Sequence, residues 1–142
     1  MLEILIAFDG SDPAMRALRY AIGLAKEHSN TRLHIVFVHE AQIFIGSATA
    51  DGTDTSLGNA FRENIDALLR PAMEVAQAAG VAFTSGALIG ETAKCITRRA
   101  EELKCSSIVM GTRGMTAFGN LILGSVATQV VHLATVPVTL VK

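Results

Sequence analysis

Three glycines and a serine near the end of the chain have the types and spacing of a phosphate-binding segment. Gly111 and Gly114 are separated by two residues, and nine residues follow before Gly124 and Ser125. A glycine backbone can approach a ligand closely because it has no Cβ. An apolar helical pattern begins after Gly124, and the free N–H groups and dipole of a helix start favour an anion. These features predict a site for a phosphorylated ligand, although glycines also occur in ordinary strand-to-helix turns.

The elements around these glycines indicate an α/β fold. Short apolar runs alternate with amphipathic helical patterns along the whole chain, and continuous apolar runs are typical of parallel strands covered by helices on both faces. We therefore predict one Rossmann-like domain over residues 1–142, with an open parallel sheet. The predicted strands are Leu2 to Phe8, Leu33 to Val38, Val81 to Leu88, Ser106 to Met110 and Val136 to Val141.

Three local predictions follow from the turn formers. Ser11 or Asp12 is expected to cap the first helix, with Pro13 in its first turn. Residues 41–60 have no period and predict a mobile loop, with a functional lid and simple disorder equally favoured. A long helix is expected from Phe61 to Gly80, with a kink or break at Pro71.

Composition excludes several functional classes. The formal net charge is −1, which argues against a nucleic-acid partner or a polybasic membrane patch. No apolar run reaches the roughly 18 residues that a membrane span needs, and the first residues do not form a signal-peptide core. Cys95 and Cys105 have neither zinc-site nor CxxC spacing and are expected to be inert. A cytoplasmic protein without a metal site formed by its own residues is the resulting expectation.

The segments that follow the strands also exclude other phosphate-binding families. The chain contains no GxxxxGK[ST] motif, and no GxGxxG motif follows the first strand. The third strand has Thr84-Ser85-Gly86 where a phospho-receiver domain needs an acceptor Asp. The turn Phe8-Asp9-Gly10-Ser11 lacks the Ser/Thr-rich run of a flavin phosphate loop.

The remaining polar residues do not define a catalytic group. Asp12 and Glu40 are the other acids near the expected site, and neither is placed for water activation, so no catalytic residue is assigned. Two interpretations of Arg113 are equally favoured: it forms an ion pair with a phosphate, or it is a solvated cation in a loop. His39 is expected near the edge of the site. His28, His34 and His132 are expected at the surface or on the flank of a helix, and Lys94, Arg98 and Arg99 on the solvent-exposed face of a helix.

The spacing Gly111-x2-Gly114-x9-Gly124-Ser125 resembles the nucleotide motif of the ATP-binding branch of the universal stress proteins. The resemblance extends over essentially the whole chain. It includes the opening strand Ile4 to Phe8 with the turn Asp9-Gly10-Ser11, and the closing segment Val136 to Val141. The motif is specific because it fixes four positions over fifteen residues.

The resemblance implies a role for each matching residue. Asp9 is expected near the adenosine, Val38 at the adenine through its backbone, and Gly114 near the phosphates. Phe8 is bulkier than is common in the family and is expected to face the core. The full implied nucleotide site is Ala7, Asp9, Val38, Met110, Gly111, Arg113, Gly114, Gly124, Ser125 and Val126.

A shared ligand also constrains the topology of the sheet. If Asp9 and Gly111 touch one nucleotide, the first and fourth strands must be neighbours. Right-handed crossovers then give the strand order 3-2-1-4-5, with the switch point between strands 1 and 4. This order places Val38 at the same rim of the sheet.

Three functional hypotheses remain open on the sequence. The first is a nucleotide-binding regulatory protein of the stress response. It would bind ATP, with or without Mg²⁺, and would act on an unidentified partner protein. In this hypothesis ATP orders the 41–60 segment or a homodimer, whose two closing strands (Val136 to Val141) pair antiparallel and cover an exposed edge. The second is a weak ATPase or phosphotransfer enzyme, and the third is a protein-interaction module without nucleotide.

Overall fold

The computed structural model describes residues 1–40, 55–112 and 123–142, and it contains a five-stranded parallel sheet. The strand order is β3-β2-β1-β4-β5, as predicted. The register pairs Ala7 of β1 with Val36 of β2 on one side and with Met110 of β4 on the other. The strands are β1 (Leu2–Ala7), β2 (Thr31–His39), β3 (Ala82–Ile89), β4 (Ser107–Gly111) and β5 (Val138–Val141).

Four helices connect the strands, and the first has the predicted cap. The Ser11 hydroxyl accepts a hydrogen bond from the Ala14 N–H at 3.2 Å, and Pro13 occupies the first turn, where its missing N–H costs nothing. The helices are α1 (Asp12–Glu27), α2 (Thr55–Ala78), α3 (Thr92–Glu102) and α4 (Ser125–Leu133). Within the described ranges, none of them is both long and apolar enough to cross a membrane.

Helix α2 differs from the sequence prediction at two places. It begins at Thr55, so the predicted loop over 41–60 is wrong for 55–60, while 41–54 lie outside the described residues. It also continues through Pro71, so a break there is wrong. Pro71 is exposed, which lets water satisfy the carbonyl that its ring deprives of a partner, and buried Leu69 and Ala72 hold the helix on the core.

Two apolar clusters form the core, one on each face of the sheet. The first joins β1 and β2 to α1 and α2 and includes Phe8, which is 3% exposed and faces the core as expected. The second packs β1 and β4 against α3 and α4, with Leu5, Ile96 and Ile108 among its most buried members. Helices therefore cover both faces of the sheet.

A buried polar network lies near the amino ends of the strands, where His34 was expected at the surface. This prediction is wrong, because His34 is 6% exposed. Its Nε2 donates to Oε2 of Glu3 at 2.7 Å, since a carboxylate only accepts, and its Nδ1 lies 2.7 Å from Oγ1 of Thr84. Three strands thus supply hydrogen-bond partners to one another, which accounts for a polar residue inside the apolar run of β2.

Candidate functional site

A cavity of about 390 Å³ lies at the carboxyl ends of β1, β2 and β4. Its volume falls within the roughly 300–1,000 Å³ typical of small-molecule sites, and its position is the switch point of an open parallel sheet. The starts of α3 and α4 complete its wall. The lining residues are Ala7, Phe8, Asp9, Val36, Phe37, Val38, Glu40, Thr92, Ile96, Met110, Gly111, Thr112, Gly124, Ser125, Val126 and Ala127.

Gly111 ends β4 at the cavity, and the packing of α1 accounts for its residue type. A Cβ at this position would lie 2.8 Å from the Pro13 Cβ and 3.0 Å from the Pro13 carbonyl carbon. Any side chain would therefore push against the start of α1. The sequence prediction attributed this glycine to close approach of a ligand, whereas its lack of a Cβ is required first by the contact between two elements.

The start of α4 forms the polar end of the cavity. Gly124 is the N-cap, and its own N–H donates to the Thr112 carbonyl at 2.7 Å. The resemblance places Gly124 in the nucleotide site, but its N–H is already engaged within the protein. The next N–H groups, those of Ser125 and Val126, belong to the first turn and have no acceptor within the helix. Because a glycine cap has no side chain to satisfy them, they are the donors that α4 offers to an anion.

Asp9 is oriented by the turn that leads into α1. Its Oδ1 accepts a hydrogen bond from the Ser11 N–H at 2.9 Å, an Asx-type turn that fixes the carboxylate at the cavity wall. Ser11 then caps α1. The polar sequence directly after β1 therefore positions one acidic side chain and starts the following helix.

The opposite wall of the cavity comes from β2 and α3. Glu40 directly follows β2, and its Oε1 accepts a hydrogen bond from the Thr92 hydroxyl at 2.8 Å. Thr92 is the first residue of α3, and Ile96 one turn later adds an apolar surface next to Val38. The cavity thus has an apolar wall with one carboxylate at its rim.

Charged groups are distributed unevenly around the cavity. Asp9 and Glu40 are its acidic lining residues, and among the described lining residues there is no Lys or Arg. The same described ranges contain no group of three His, Cys, Asp or Glu side chains that would hold a metal ion. An anion at the start of α4 would therefore rely on backbone N–H groups and the helix dipole within this part of the chain.

A sequence model of the Universal stress protein family matches residues 1–142. The chain belongs to the universal stress protein family. Two curated relatives agree over nearly the whole length. A universal stress protein of Methanocaldococcus jannaschii is 34% identical over 140 residues, covering 99% of this chain and 81% of the relative. The universal stress protein YxiE of Bacillus subtilis is 34% identical over 146 residues, covering 99% and 98%.

Solved structures show the same fold. UspA of Lactobacillus plantarum superposes with a TM-score of 0.83 at 20% identity, covering 99% of this chain and 97% of that one. A universal stress protein in complex with cAMP has a TM-score of 0.73 at 27% identity, covering 99% and 96%. A universal stress protein of Archaeoglobus fulgidus in complex with dAMP has a TM-score of 0.67 at 25% identity, covering 100% and 98%.

Eight of the ten residues assigned to the nucleotide site line the cavity, which brings together three strand ends and the start of α4. Arg113 and Gly114 lie outside the described residues. His39, expected at the edge, is exposed and packs its ring edge-on against Phe61, with centroids 4.9 Å apart. The eight residues are Ala7, Asp9, Val38, Met110, Gly111, Gly124, Ser125 and Val126.

Sequence reasoning missed the contribution of α3. The segments after strands 1, 2 and 4 were considered as ligand-binding, but Thr92 and Ile96 follow strand 3. The same rule of parallel sheets, that ligands bind beyond the carboxyl ends of strands, would have found them. Thr112 was missed because it occupies one of the unspecified positions of the glycine motif.

Proposed function

We propose that this protein binds an adenine nucleotide, with ATP as the physiological ligand, in the cavity at the carboxyl ends of the strands. The observation that carries the proposal is the convergence of Asp9, Val38, Gly111 and Ser125, which are distant in sequence, on one cavity of suitable size. The phosphates lie at the start of α4, where free N–H groups favour an anion. The base lies against the apolar wall formed by β2 and α3.

The liganded relatives support the adenine part of this proposal. One structural neighbour is a complex with cAMP and another with dAMP, and both ligands contain adenine, a pentose and one phosphate group. The present chain shares their fold over nearly its full length. ATP has the same adenosine phosphate core, and its additional phosphates extend from the first one.

A Mg²⁺ ion would be bound mainly through the phosphates and water rather than by a complete set of protein ligands. Mg²⁺ keeps several waters and is held in many nucleotide sites by one or two carboxylates together with the phosphates. In the described part of the cavity, Asp9 follows β1, the neighbour of β4, and is the carboxylate available for this mode, whereas Glu40 lies at the end of β2. The ion would neutralise phosphate charge there.

The site is better suited to holding a nucleotide than to hydrolysing it. A hydrolase needs a base or a polar group that positions water at the terminal phosphate. Asp9 is engaged with the Ser11 N–H and Glu40 with the Thr92 hydroxyl. We therefore propose a regulatory role in the stress response, in which the nucleotide-bound protein is recognised by a partner protein.

The closing strand supports the proposal of a homodimer. β5 pairs with β4 on one side only, and all four of its residues are half-buried in the single chain. Its other edge presents backbone groups and apolar side chains that proteins usually cover. Antiparallel pairing of two copies through the segment Val136 to Val141 would remove this edge.

The proposal is tested by identifying the nucleotide that copurifies with the protein. The purified protein is denatured, and the released small molecules are separated by ion-exchange chromatography and identified by mass spectrometry. We expect an adenine nucleotide in near-stoichiometric amount, and ATP binding by calorimetry after its removal. No released nucleotide together with no calorimetric binding would reject the proposal and favour a nucleotide-free interaction module.

A single-turnover assay separates the binding protein from the enzyme. The protein in excess over ATP and Mg²⁺ is followed for ADP formation. We expect a rate indistinguishable from that in buffer, because no water-positioning group is present at the described start of α4. A rate that depends on protein concentration would favour the weak ATPase.

A further inference from the structure

Glu40 stands at a defined place in the cavity. It directly follows β2, two residues beyond Val38, and the Thr92 hydroxyl holds its Oε1 at 2.8 Å. The other carboxylate oxygen has no hydrogen-bond partner within the described ranges, and the side chain belongs to the cavity wall. A carboxylate only accepts hydrogen bonds, so a ligand group that meets this oxygen must be a donor.

The two helix starts at the cavity differ in charge, and this fixes the orientation of a nucleotide. The start of α3 has Glu91 as its N-cap residue and holds the Glu40 carboxylate through Thr92. The start of α4 has a glycine cap. Glu91 is paired with Lys94, so the charge that faces the cavity at this helix start is that of Glu40. An anion is repelled by this carboxylate and attracted by the N–H groups at the start of α4, so the phosphates are directed to α4.

The order of the strands then places the base beside Glu40. β2 and β4 are separated by β1, which corresponds to about 10 Å at the usual spacing of about 4.8 Å between strands. With the phosphates beyond β4, the pentose lies above β1 and the base above the end of β2. Val38 and Ile96 provide the apolar surface for its ring, and Glu40 lies at its edge.

We infer that the Glu40 carboxylate accepts a hydrogen bond from the edge of the base and so selects a purine that carries an amino group at position 6. This inference rests on the proposed nucleotide function. The exocyclic amino group of adenine donates to the free carboxylate oxygen. Hypoxanthine and guanine have a carbonyl oxygen there, which would place two acceptors together and leave both unpaired. Thr92 is the positioning residue that holds the carboxylate in place.

The test compares ATP with ITP, which differ at position 6 of the base. Dissociation constants of both, and of dATP as a probe of the pentose, are measured by calorimetry for the wild type, Glu40→Gln, Thr92→Val and Glu91→Gln. The Glu91→Gln variant is a matched control, since it removes the same charge from the same helix start. Glu91 pairs with Lys94 and is not a lining residue. The ratio of the two constants cancels any general change in phosphate attraction.

The expected ratio for the wild type is roughly tenfold in favour of ATP, which is the size of one hydrogen bond to a charged group. In Glu40→Gln the ratio should fall to within about threefold, because an amide also offers a donor to a carbonyl oxygen. Thr92→Val should give an intermediate ratio by releasing the carboxylate. Glu91→Gln should keep the wild-type ratio.

Other results overturn the inference in distinguishable ways. Binding of ATP with a ratio that Glu40→Gln leaves unchanged rejects the role of Glu40 while the proposed function stands. A change in the ratio of ATP to dATP instead would place Glu40 at the pentose and reject the assignment to the base. A wild type that binds neither ATP nor ITP rejects the proposed function and this inference together.

Discussion

The two ends of the sheet use polar residues in opposite ways. At the amino ends, the side chains of Glu3, His34 and Thr84 are hydrogen-bonded to one another across three strands. At the carboxyl ends, Asp9 and Glu40 each use one oxygen within the protein and face a cavity, and the first N–H groups of α4 have no acceptor in the described part of the chain. The difference separates polar groups that complete the fold from those available to a ligand.

Gly124→Val gives the largest expected effect and tests the cavity end alone. A branched side chain at the cap should block the approach of phosphate to the Ser125 and Val126 N–H groups. Loss of these charge-assisted hydrogen bonds should weaken ATP binding by about 100-fold or more, measured by calorimetry. The backbone at this position (φ −58°) accepts any residue, so the thermal midpoint should change little. Gly23→Val, at an open position of α1, is the control. Parental affinity in Gly124→Val would show that the site is misplaced.

Gly111→Ala tests whether the cavity end also contributes to stability. The new Cβ would meet Pro13 at 2.8 Å, so α1 must shift. Overpacking of this kind costs about 1–3 kcal/mol of unfolding free energy, measured by urea denaturation. Gly58→Ala is the control, because this exposed helical glycine has open space and the change should stabilise by up to about 1 kcal/mol. Equal stability of the two variants would contradict the close contact.

His34→Leu tests the amino end. It leaves Glu3 without its donor, and the expected loss is about 1–3 kcal/mol of unfolding free energy with no change in ATP affinity. The double variant Glu3→Met with His34→Leu should recover part of this loss, since replacing both partners removes the unpaired carboxylate. If the single variant is as stable as the wild type, the network contributes nothing to folding. If it loses ATP affinity, the two ends are coupled.

Cys105, at the same end, predicts a dependence of stability on pH. Burial, and secondarily the charge of Glu3, raises the pKa of this thiol from 9.0 to about 11. The unfolded chain therefore loses the proton first, and the contribution of the buried thiol declines as the pH rises from about 9 to 11. The difference in thermal midpoint between the wild type and Cys105→Ala should be larger at pH 8 than at pH 10.5. A constant difference would contradict the raised pKa.

Thr31→Val is expected to have the smallest effect. The Thr31 hydroxyl is buried at the start of β2 and has no hydrogen-bond partner in the described part of the chain. Valine has nearly the same shape and avoids burying a hydroxyl, so we expect a gain of up to about 1 kcal/mol in unfolding free energy. A loss of stability would show that the hydroxyl is satisfied in solution, and the amino end would then be fully paired.

Much of the fold follows from patterns that are local in sequence. The alternation of apolar runs and helical patterns predicted all five strands, and Ser11 with Pro13 predicted the start of α1. The start of α2 was missed because residues 55–60 are mostly small or polar. A helix of that composition is stabilised by continuation from the packed turns around Leu69 and Ala72, which a local pattern does not contain.

The sequence also predicted much of the candidate site. What it missed again depends on contacts between residues that are distant in the chain. The glycine motif and the ends of strands 1, 2 and 4 identified eight lining residues. The motif did not reveal that the Gly124 N–H is bound to Thr112, because that bond joins residues across the unspecified part of the motif. It also gave no indication of the bond between Glu40 and Thr92, which are 52 positions apart.

The sequence by itself determined the strand and helix pattern, the family motif and the residues that end each strand. These depend on periodicity and on conformational preferences that act over a few residues. Only the tertiary structure decided that Gly111 is a glycine because of Pro13, that His34 is buried and paired, and that the two helix starts differ in charge. Each of these depends on contacts between residues far apart in the chain, which packing of the sheet brings together.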